Sequence, residues 1–194
     1  MFILEYKQKL NLIYGAKTGK SREEEDFYAT SPEAIYLAKD MFTEIGLSKK
    51  VWECACGKGH ISEALRELGY NVKSSDKIDR GYGKVIDFLK YTKKQDCDIV
   101  TNPPFKLWEE FAYKGLEILT KGNFLCLFAK IQILETKSRR VLFKKFPPKF
   151  IYVYSERVGC AMNGDFKKYK AKTFCYCWVI WEKGYKSETV LRWI

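Results

Sequence analysis

The sequence predicts an α/β protein whose sheet is mostly parallel and carries helices on both faces. Seven short runs with strand character alternate with segments in which apolar residues recur at helical spacing. One run ends in a glycine-containing turn that opens a helix, and another ends in two consecutive prolines. Because open α/β sheets bind ligands at the carboxyl ends of their strands, these two turns are the first candidates for a functional site.

Residues 1–25 are the part of the chain least suited to a packed fold, and we expect a flexible arm there. The stretch Gly15–Ser21 resembles the end of a phosphate-binding loop, but Tyr14 stands where the first glycine of that loop should be. No composition shift, repeat or linker follows, so residues 26–194 are expected to form a single domain.

The first predicted helix begins after residue 31. Ser31 is a suitable N-cap, Pro32 suits the first helical position, and Gly46 suits the end of the helix. Between them, Ile35, Met41 and other apolar residues form one face.

The next segment is a buried strand that ends in a G-x-G turn, followed by a helix. Gly57 and Gly59 allow a ligand to approach the backbone, and acidic Glu53 lies just before them. The two following strands also end in acids, at Asp76 and at Asp87. An acid at the tip of the second strand is typical of ribose binding.

The central feature of the chain is the turn Asn102–Phe105, which follows a strand containing Ile99 and Val100. Prolines 103 and 104 end that strand, because neither can donate a ladder hydrogen bond. An amide oxygen and a backbone carbonyl freed by this kink offer two acceptors to one exocyclic amine, with Phe105 placed to stack on its ring. Turn chemistry followed by a core aromatic residue is the structural alternative.

The remaining strands are predicted over 123–129, 150–154 and 173–181. The loops after the first two should lie at the edge that carries the central turn. They contain basic residues suited to phosphate contacts: Lys137, Arg139, Arg140, Lys167, Lys168 and Lys170. A solvated helix face is the alternative interpretation, and we favour it for Lys144 and Lys145.

The composition of the chain limits the kinds of partner that we expect it to bind. A net charge of +11 and a pI near 9.2 favour a polyanion such as nucleic acid, without separating DNA from RNA. Seven cysteines without C-x-x-C spacing and a single histidine predict no metal site. We expect a cytoplasmic protein with no membrane contact, since no apolar run is long enough to span a bilayer and the N-terminus does not resemble a signal peptide. The oligomeric state stays open.

Three stretches together resemble the Rossmann-like S-adenosylmethionine-dependent methyltransferases that make N6-methyladenine. They are residues 26–32, 53–61 and 102–105. With the closing stretch 146–185, the chain is similar to the small adenine-specific DNA methyltransferases of phages and prophages. The resemblance implies a seven-stranded sheet with an antiparallel C-terminal strand.

The resemblance also implies site residues. The catalytic motif would be Asn102, Pro103, Pro104 and Phe105. The residues that bind S-adenosylmethionine, released as S-adenosylhomocysteine, would be Tyr28, Thr30, Pro32, Glu53, Cys54, Gly57, Gly59, Asp76, Asp87, Phe88 and Asn102. Cys54 departs from the family, which often has proline there, and the chain has no separate target-recognition domain.

The implied reaction is direct transfer of a methyl group to the N6 amine of adenine in DNA, with the base flipped or already single-stranded. Two alternatives stay open. One is methylation of RNA adenine or of a protein glutamine amide, which similar Asn-Pro-Pro-aromatic turns also serve. The other is a non-catalytic nucleic-acid-binding module, which would be expected to have lost Asn102 or the glycines; the chain keeps both.

Overall fold

The computed structural model describes residues 28–162, 164–167 and 174–194. The arm expected over residues 1–25, together with Lys168 and Lys170, lies outside these ranges. Ten strands are described, and they form two sheets. The strands are β1 (Tyr28–Thr30), β2 (Lys50–Glu53), β3 (Asn71–Asp76), β4 (Lys84–Val85), β5 (Asp98–Thr101), β6 (Phe124–Lys130), β7 (Phe150–Val153), β8 (Cys160–Met162), β9 (Tyr176–Glu182) and β10 (Val190–Trp193).

The main sheet has the order β10-β7-β9-β6-β5-β2-β3-β4. All its neighbouring pairs are parallel except those of β9, which runs antiparallel to both β6 and β7. The predicted seven strands and the reversed strand near the C-terminus are therefore confirmed. The reversed strand β9 lies between β6 and β7, which both run in the opposite direction to it.

Within the described ranges, five α-helices cover the two faces: α1 (Pro32–Leu37), α2 (Lys39–Glu44), α3 (His60–Glu67), α4 (Trp108–Ile118) and α5 (Lys137–Lys145). Neighbouring strand residues point to opposite faces, as a pleated sheet requires. Val100 packs with the first three helices, whereas Ile99 packs with α4 and α5. The core thus consists of two apolar layers with the sheet between them, which confirms the predicted architecture.

Several elements differ in detail from the sequence-based expectation. The single helix expected after Ser31 is interrupted at Ala38, where the backbone leaves helical geometry. The third predicted strand keeps only Lys84–Val85, and a 3₁₀ turn, Phe88–Lys90, replaces its end because the Asp87 side chain accepts the Leu89 N–H.

Three strands were not anticipated. β1 and β8 form a separate antiparallel ribbon, and β10 adds an eighth strand outside β7. β1 and β8 have only three residues each, and β10 follows a polar run that weakens any periodicity. No helix in the described ranges has the length and apolar character needed to cross a bilayer.

Candidate active site

The Asn102 side chain is held in one orientation by the ribbon formed by β1 and β8. Its Nδ2 group donates to the Tyr28 carbonyl and to the Thr30 hydroxyl, each over 3.0 Å. Both amide hydrogens are therefore used. The Oδ1 atom is buried and accepts no hydrogen bond from the described part of the chain. A buried acceptor without a donor is costly, so this oxygen is a site prepared for an external N–H or O–H group.

The two prolines give the turn its shape. Pro103 is buried and Pro104 is exposed, and the Pro104 carbonyl accepts the Leu107 N–H over 2.8 Å. This bond starts a 3₁₀ turn, Phe105–Leu107, that leads directly into α4. The strand-to-helix turn expected from the sequence is present, and it places half-buried Phe105 at the carboxyl edge of the sheet.

The glycine turn lies at the same edge, after β2. Gly57 has φ +54°, in the left-handed region that favours glycine, and its N–H donates to Asp76 Oδ2 over 2.8 Å. Asp76 Oδ1 accepts the Ile78 N–H over 3.0 Å. Asp76 therefore holds the turn after its own strand to the glycine turn. Each carboxylate oxygen can accept a further bond, so a hydroxyl donor can still bind there.

Gly59 is required by a contact that the sequence did not reveal. Its φ is +88°, and a Cβ atom at this position would collide with the Tyr82 ring. The Tyr82 hydroxyl bonds with Glu63 and Arg66 on α3. Tyr82 thus covers one side of the glycine turn. The nearby Gly81 and Gly83 were a possible signal of a tight turn, but the ring contact could not be read from them.

Glu53 is buried at the end of β2. Its carboxyl accepts the Ser62 hydroxyl, and Ser62 is 2.6 Å from the Ser74 hydroxyl. Burial raises the pKa of Glu53 to about 8, with a smaller contribution from nearby Asp76, while the Ser62 hydrogen bond opposes the rise. A buried carboxyl group with a strongly raised pKa is typical of functional sites.

Comparison with known proteins gives similarity in structure only. No protein-family model and no curated protein sequence matches the chain. Among solved structures, a Listeria monocytogenes candidate class I S-adenosylmethionine-dependent methyltransferase is 14% identical, with a TM-score of 0.60 over 96% of this chain and 71% of that one. A Pyrococcus horikoshii candidate RNA methyltransferase is 16% identical, with a TM-score of 0.54 over 91% and 98%. A Thermotoga maritima S-adenosylmethionine-dependent O-methyltransferase is 14% identical, with a TM-score of 0.54 over 92% and 72%.

The chain has the Rossmann-like fold of the S-adenosylmethionine-dependent methyltransferases. In this methyltransferase fold the carboxyl edge of the parallel strands brings together most of the residues predicted from the sequence. Glu53, Gly57, Gly59 and Asp76 meet around the glycine turn, while Thr30 and Tyr28 meet Asn102. Pro32 is half-buried at the start of α1, next to this ribbon.

Two predicted cofactor contacts have a different environment from the one expected. Phe88 is buried, stacks on Phe111 with ring centroids 4.9 Å apart, and meets Trp52 edge to face. Its ring is part of the core, and its predicted contact with the cofactor stays a prediction. Cys54 is also buried among core residues, and burial raises the pKa of its thiol. Asp87 serves as the cap of the 3₁₀ turn.

The basic residues expected to contact phosphate fall into two groups. Arg139 is tied to its own surroundings, because Nε lies 3.3 Å from Glu109 Oε1 and Nη1 donates to carbonyls of the 131–135 segment. These bonds give Arg139 the role of a structural clamp, and its expected phosphate contact stays a prediction. Lys137, Arg140 and Lys167 are exposed.

Two further residues near the turn were not singled out by the sequence. The Lys130 ammonium lies 5.4 Å from the Phe105 ring centroid and 3.4 Å from that of Phe174. These contacts join the ends of β6 and β9 to the Asn102–Phe105 turn. Across the described ranges, no three side chains of the usual metal-binding types come together as ligands.

Proposed function

We propose that this protein transfers a methyl group from S-adenosylmethionine to the exocyclic N6 amine of adenine in DNA. The observation that carries the proposal is the orientation of Asn102. Its two amide hydrogens are used by Tyr28 and Thr30, and its buried oxygen is left to accept. An amine with two N–H donors and a ring suited to stacking on Phe105 matches this arrangement.

The protein's own contribution is orientation. Asn102 Oδ1 and the Pro103 carbonyl would each accept one hydrogen of the amine, which directs the nitrogen lone pair away from both acceptors. S-adenosylmethionine supplies an electrophilic methyl group when it is bound. Positioning and fixed dipoles can provide most of the acceleration of such a transfer. No strong base is needed beforehand, because the amine becomes acidic only once it carries the methyl group.

The residues around the glycine turn fit this cofactor. Gly57 keeps the backbone open to a ligand, Asp76 retains acceptor capacity for hydroxyls, and buried Glu53 lies just before the glycine turn. These three lie at the ends of β2 and β3, next to the strand that carries Asn102. S-adenosylhomocysteine would be the product held there.

DNA is proposed from charge and from the resemblance of the motifs. The net charge of +11 favours a polyanion. Exposed Lys137 and Arg140 lie on α5, not in the loop expected from the sequence, and exposed Lys167 follows β8. An adenine inside a duplex must be extruded to reach Asn102, and stacking on Phe105 would offset part of that cost.

RNA adenine is a second candidate, because charge does not separate the two nucleic acids and a structurally similar protein is named as a candidate RNA methyltransferase. A protein glutamine amide also carries two N–H donors that suit Asn102. It offers no ring for Phe105, however, and draws nothing from the positive charge. A nucleic-acid-binding module without catalysis would not need the Asn102 oxygen to be oriented toward an amine.

The decisive experiment supplies radiolabelled S-adenosylmethionine to the purified protein with DNA, RNA and protein pools in parallel. We expect label in DNA, located at N6 of adenine by sequencing of modified bases. An Asn102→Ala variant should label DNA about 100- to 1,000-fold more slowly. Transfer confined to RNA or to protein would replace the proposed substrate, and no transfer to any pool, despite binding of the cofactor, would reject catalysis.

A further inference from the structure

A cleft lies beside Phe105 and is not used by the reaction proposed above. Its volume is about 520 Å³, within the range of pockets that hold small ligands. Phe105 and Tyr113 supply aromatic walls, Ile133 an apolar contact, and Glu109, Glu110 and Arg139 its polar groups. The cleft therefore combines flat apolar surfaces with a few polar atoms.

The two glutamates differ in what they can do. Glu109 Oε1 is occupied by Arg139 and accepts the Ser138 hydroxyl over 2.9 Å. Glu110 forms no hydrogen bond or ion pair within the part of the chain that the structure describes, and it is exposed. Its position three residues before Tyr113 on α4 places the two side chains on one helix face. Glu110 is therefore an acceptor next to an aromatic ring.

We propose that this cleft binds a nucleobase that flanks the target adenine, and that Glu110 selects a base with hydrogen-bond donors on its Watson–Crick edge. The proposal rests on the proposed function, since Phe105 would separate the target base from its neighbour. A carboxylate only accepts hydrogen bonds and cannot attract phosphate. A stacked, unpaired base between aromatic walls is the usual way in which single strands are read.

Guanine fits the cleft best among the bases. Its N1–H and N2–H donors point the same way and match the two oxygens of one carboxylate. Adenine and cytosine present a single amino group, and uracil and thymine place carbonyl oxygens on both sides of one N–H. Exposed Lys106, which also lines the cleft, is placed to neutralise the phosphate that joins the two nucleotides.

The test measures binding of the deoxydinucleotides d(ApG), d(GpA), d(ApT) and d(TpA) by calorimetry. In one of the two orders, the wild-type protein should bind the guanine dinucleotide about 5- to 150-fold more tightly than the thymine one, the discrimination expected of one good base contact. Glu110→Gln should bring the two affinities close together. Glu117→Gln, which removes the same charge from the far end of α4, should leave the preference unchanged.

Methyl transfer to the same dinucleotides separates the two proposals. Transfer without any preference for guanine, in binding or in rate, would overturn the assignment of the cleft and leave the adenine reaction standing. A preference that depends on Glu110, in the absence of transfer, would support the cleft and overturn the reaction. Equal discrimination by wild type and Glu110→Gln would show that another group reads the base.

Discussion

The Asn102 amide donates to the Thr30 hydroxyl over 3.0 Å, although the two residues lie far apart in the sequence. This bond, with the one to the Tyr28 carbonyl, fixes which atom of the amide faces the catalytic edge. The acceptor that defines the proposed reaction is thus oriented by a strand outside the main sheet.

Asn102→Ala should lower the rate of methyl transfer by about 100- to 1,000-fold, the usual effect of removing one oriented polar group from a catalytic site. Affinity for S-adenosylmethionine should change little, because the oxygen acts on the target amine. Single-turnover kinetics and calorimetry measure the two effects. Thr30→Val is the matched control: it keeps the oxygen but loosens its orientation, so it should cause a smaller loss. If Asn102→Ala kept wild-type turnover, Asn102 would have a role in the turn alone and none in catalysis.

Asp76→Ala should weaken S-adenosylmethionine binding by about tenfold or more, because it removes two charge-assisted bonds that hold the glycine turn as well as an acceptor for hydroxyls. Calorimetry measures the affinity, and circular dichroism shows whether the fold is kept. Asp79→Ala is the control, since among the described residues Asp79 accepts a hydrogen bond from the Gly81 N–H alone, in the exposed loop nearby. Unchanged affinity in Asp76→Ala would contradict the cofactor assignment.

Glu53 should make stability depend on pH. Its pKa is about 8 in the folded chain and near 4.5 as an ordinary side chain, so the folded state binds the extra proton between these values. The free energy of unfolding should therefore fall as pH rises from about 5 to about 8, by up to ~1.4 kcal/mol per pH unit. Urea unfolding across this range measures the slope. Glu53→Gln, which cannot titrate, should flatten it, and an equally steep slope in that variant would assign the effect elsewhere.

Arg139 and Arg140 are neighbours that should behave differently. Arg140→Ala should reduce DNA affinity and lower the slope of log K against log salt by about 0.9, as expected for one lost phosphate contact. Arg139→Ala should instead lower stability by about 1–3 kcal/mol, because it breaks the bonds to Glu109 and to the 131–135 carbonyls. Binding titrations at several salt concentrations and thermal unfolding separate the two. If both variants changed DNA affinity and stability in the same way, the two arginines would not have the different roles proposed for them.

The fold was predictable because its strongest signals are local. Each strand or turn can be recognised from its own residues: the apolar runs around Ile99 and Phe128, the glycine turn and the proline turn. Together they also give the order of the elements along the chain. The convergence of Glu53, Asp76 and Asn102 at one edge then follows from the parallel arrangement. The predicted sheet was confirmed for this reason.

The parts that escaped prediction depend on contacts distant in sequence. Neither the pairing of β1 with β8 nor the position of the Tyr82 ring over Gly59 leaves a periodic signal. Phe88 follows an acid and was predicted only as a ligand contact. Its packing against Trp52 and Phe111 in the core depends on residues far away in the sequence. Arg139 looked like any basic surface residue until its partners were known.

The position of β9 in the sheet affects the order in which parts of the protein fold. Phe124 pairs with Glu182, and Tyr28 pairs with Met162, so the last sheet contacts and the ribbon both close long stretches of chain. Contacts of this kind form late, since the loop entropy must be lost before they contribute. Helices and the first parallel strands can assemble while Asn102 still rotates freely. After dilution from denaturant, recovery of methyl transfer should therefore lag behind recovery of the helical circular dichroism signal, and competence for the reaction becomes one of the final events in the maturation of the polypeptide.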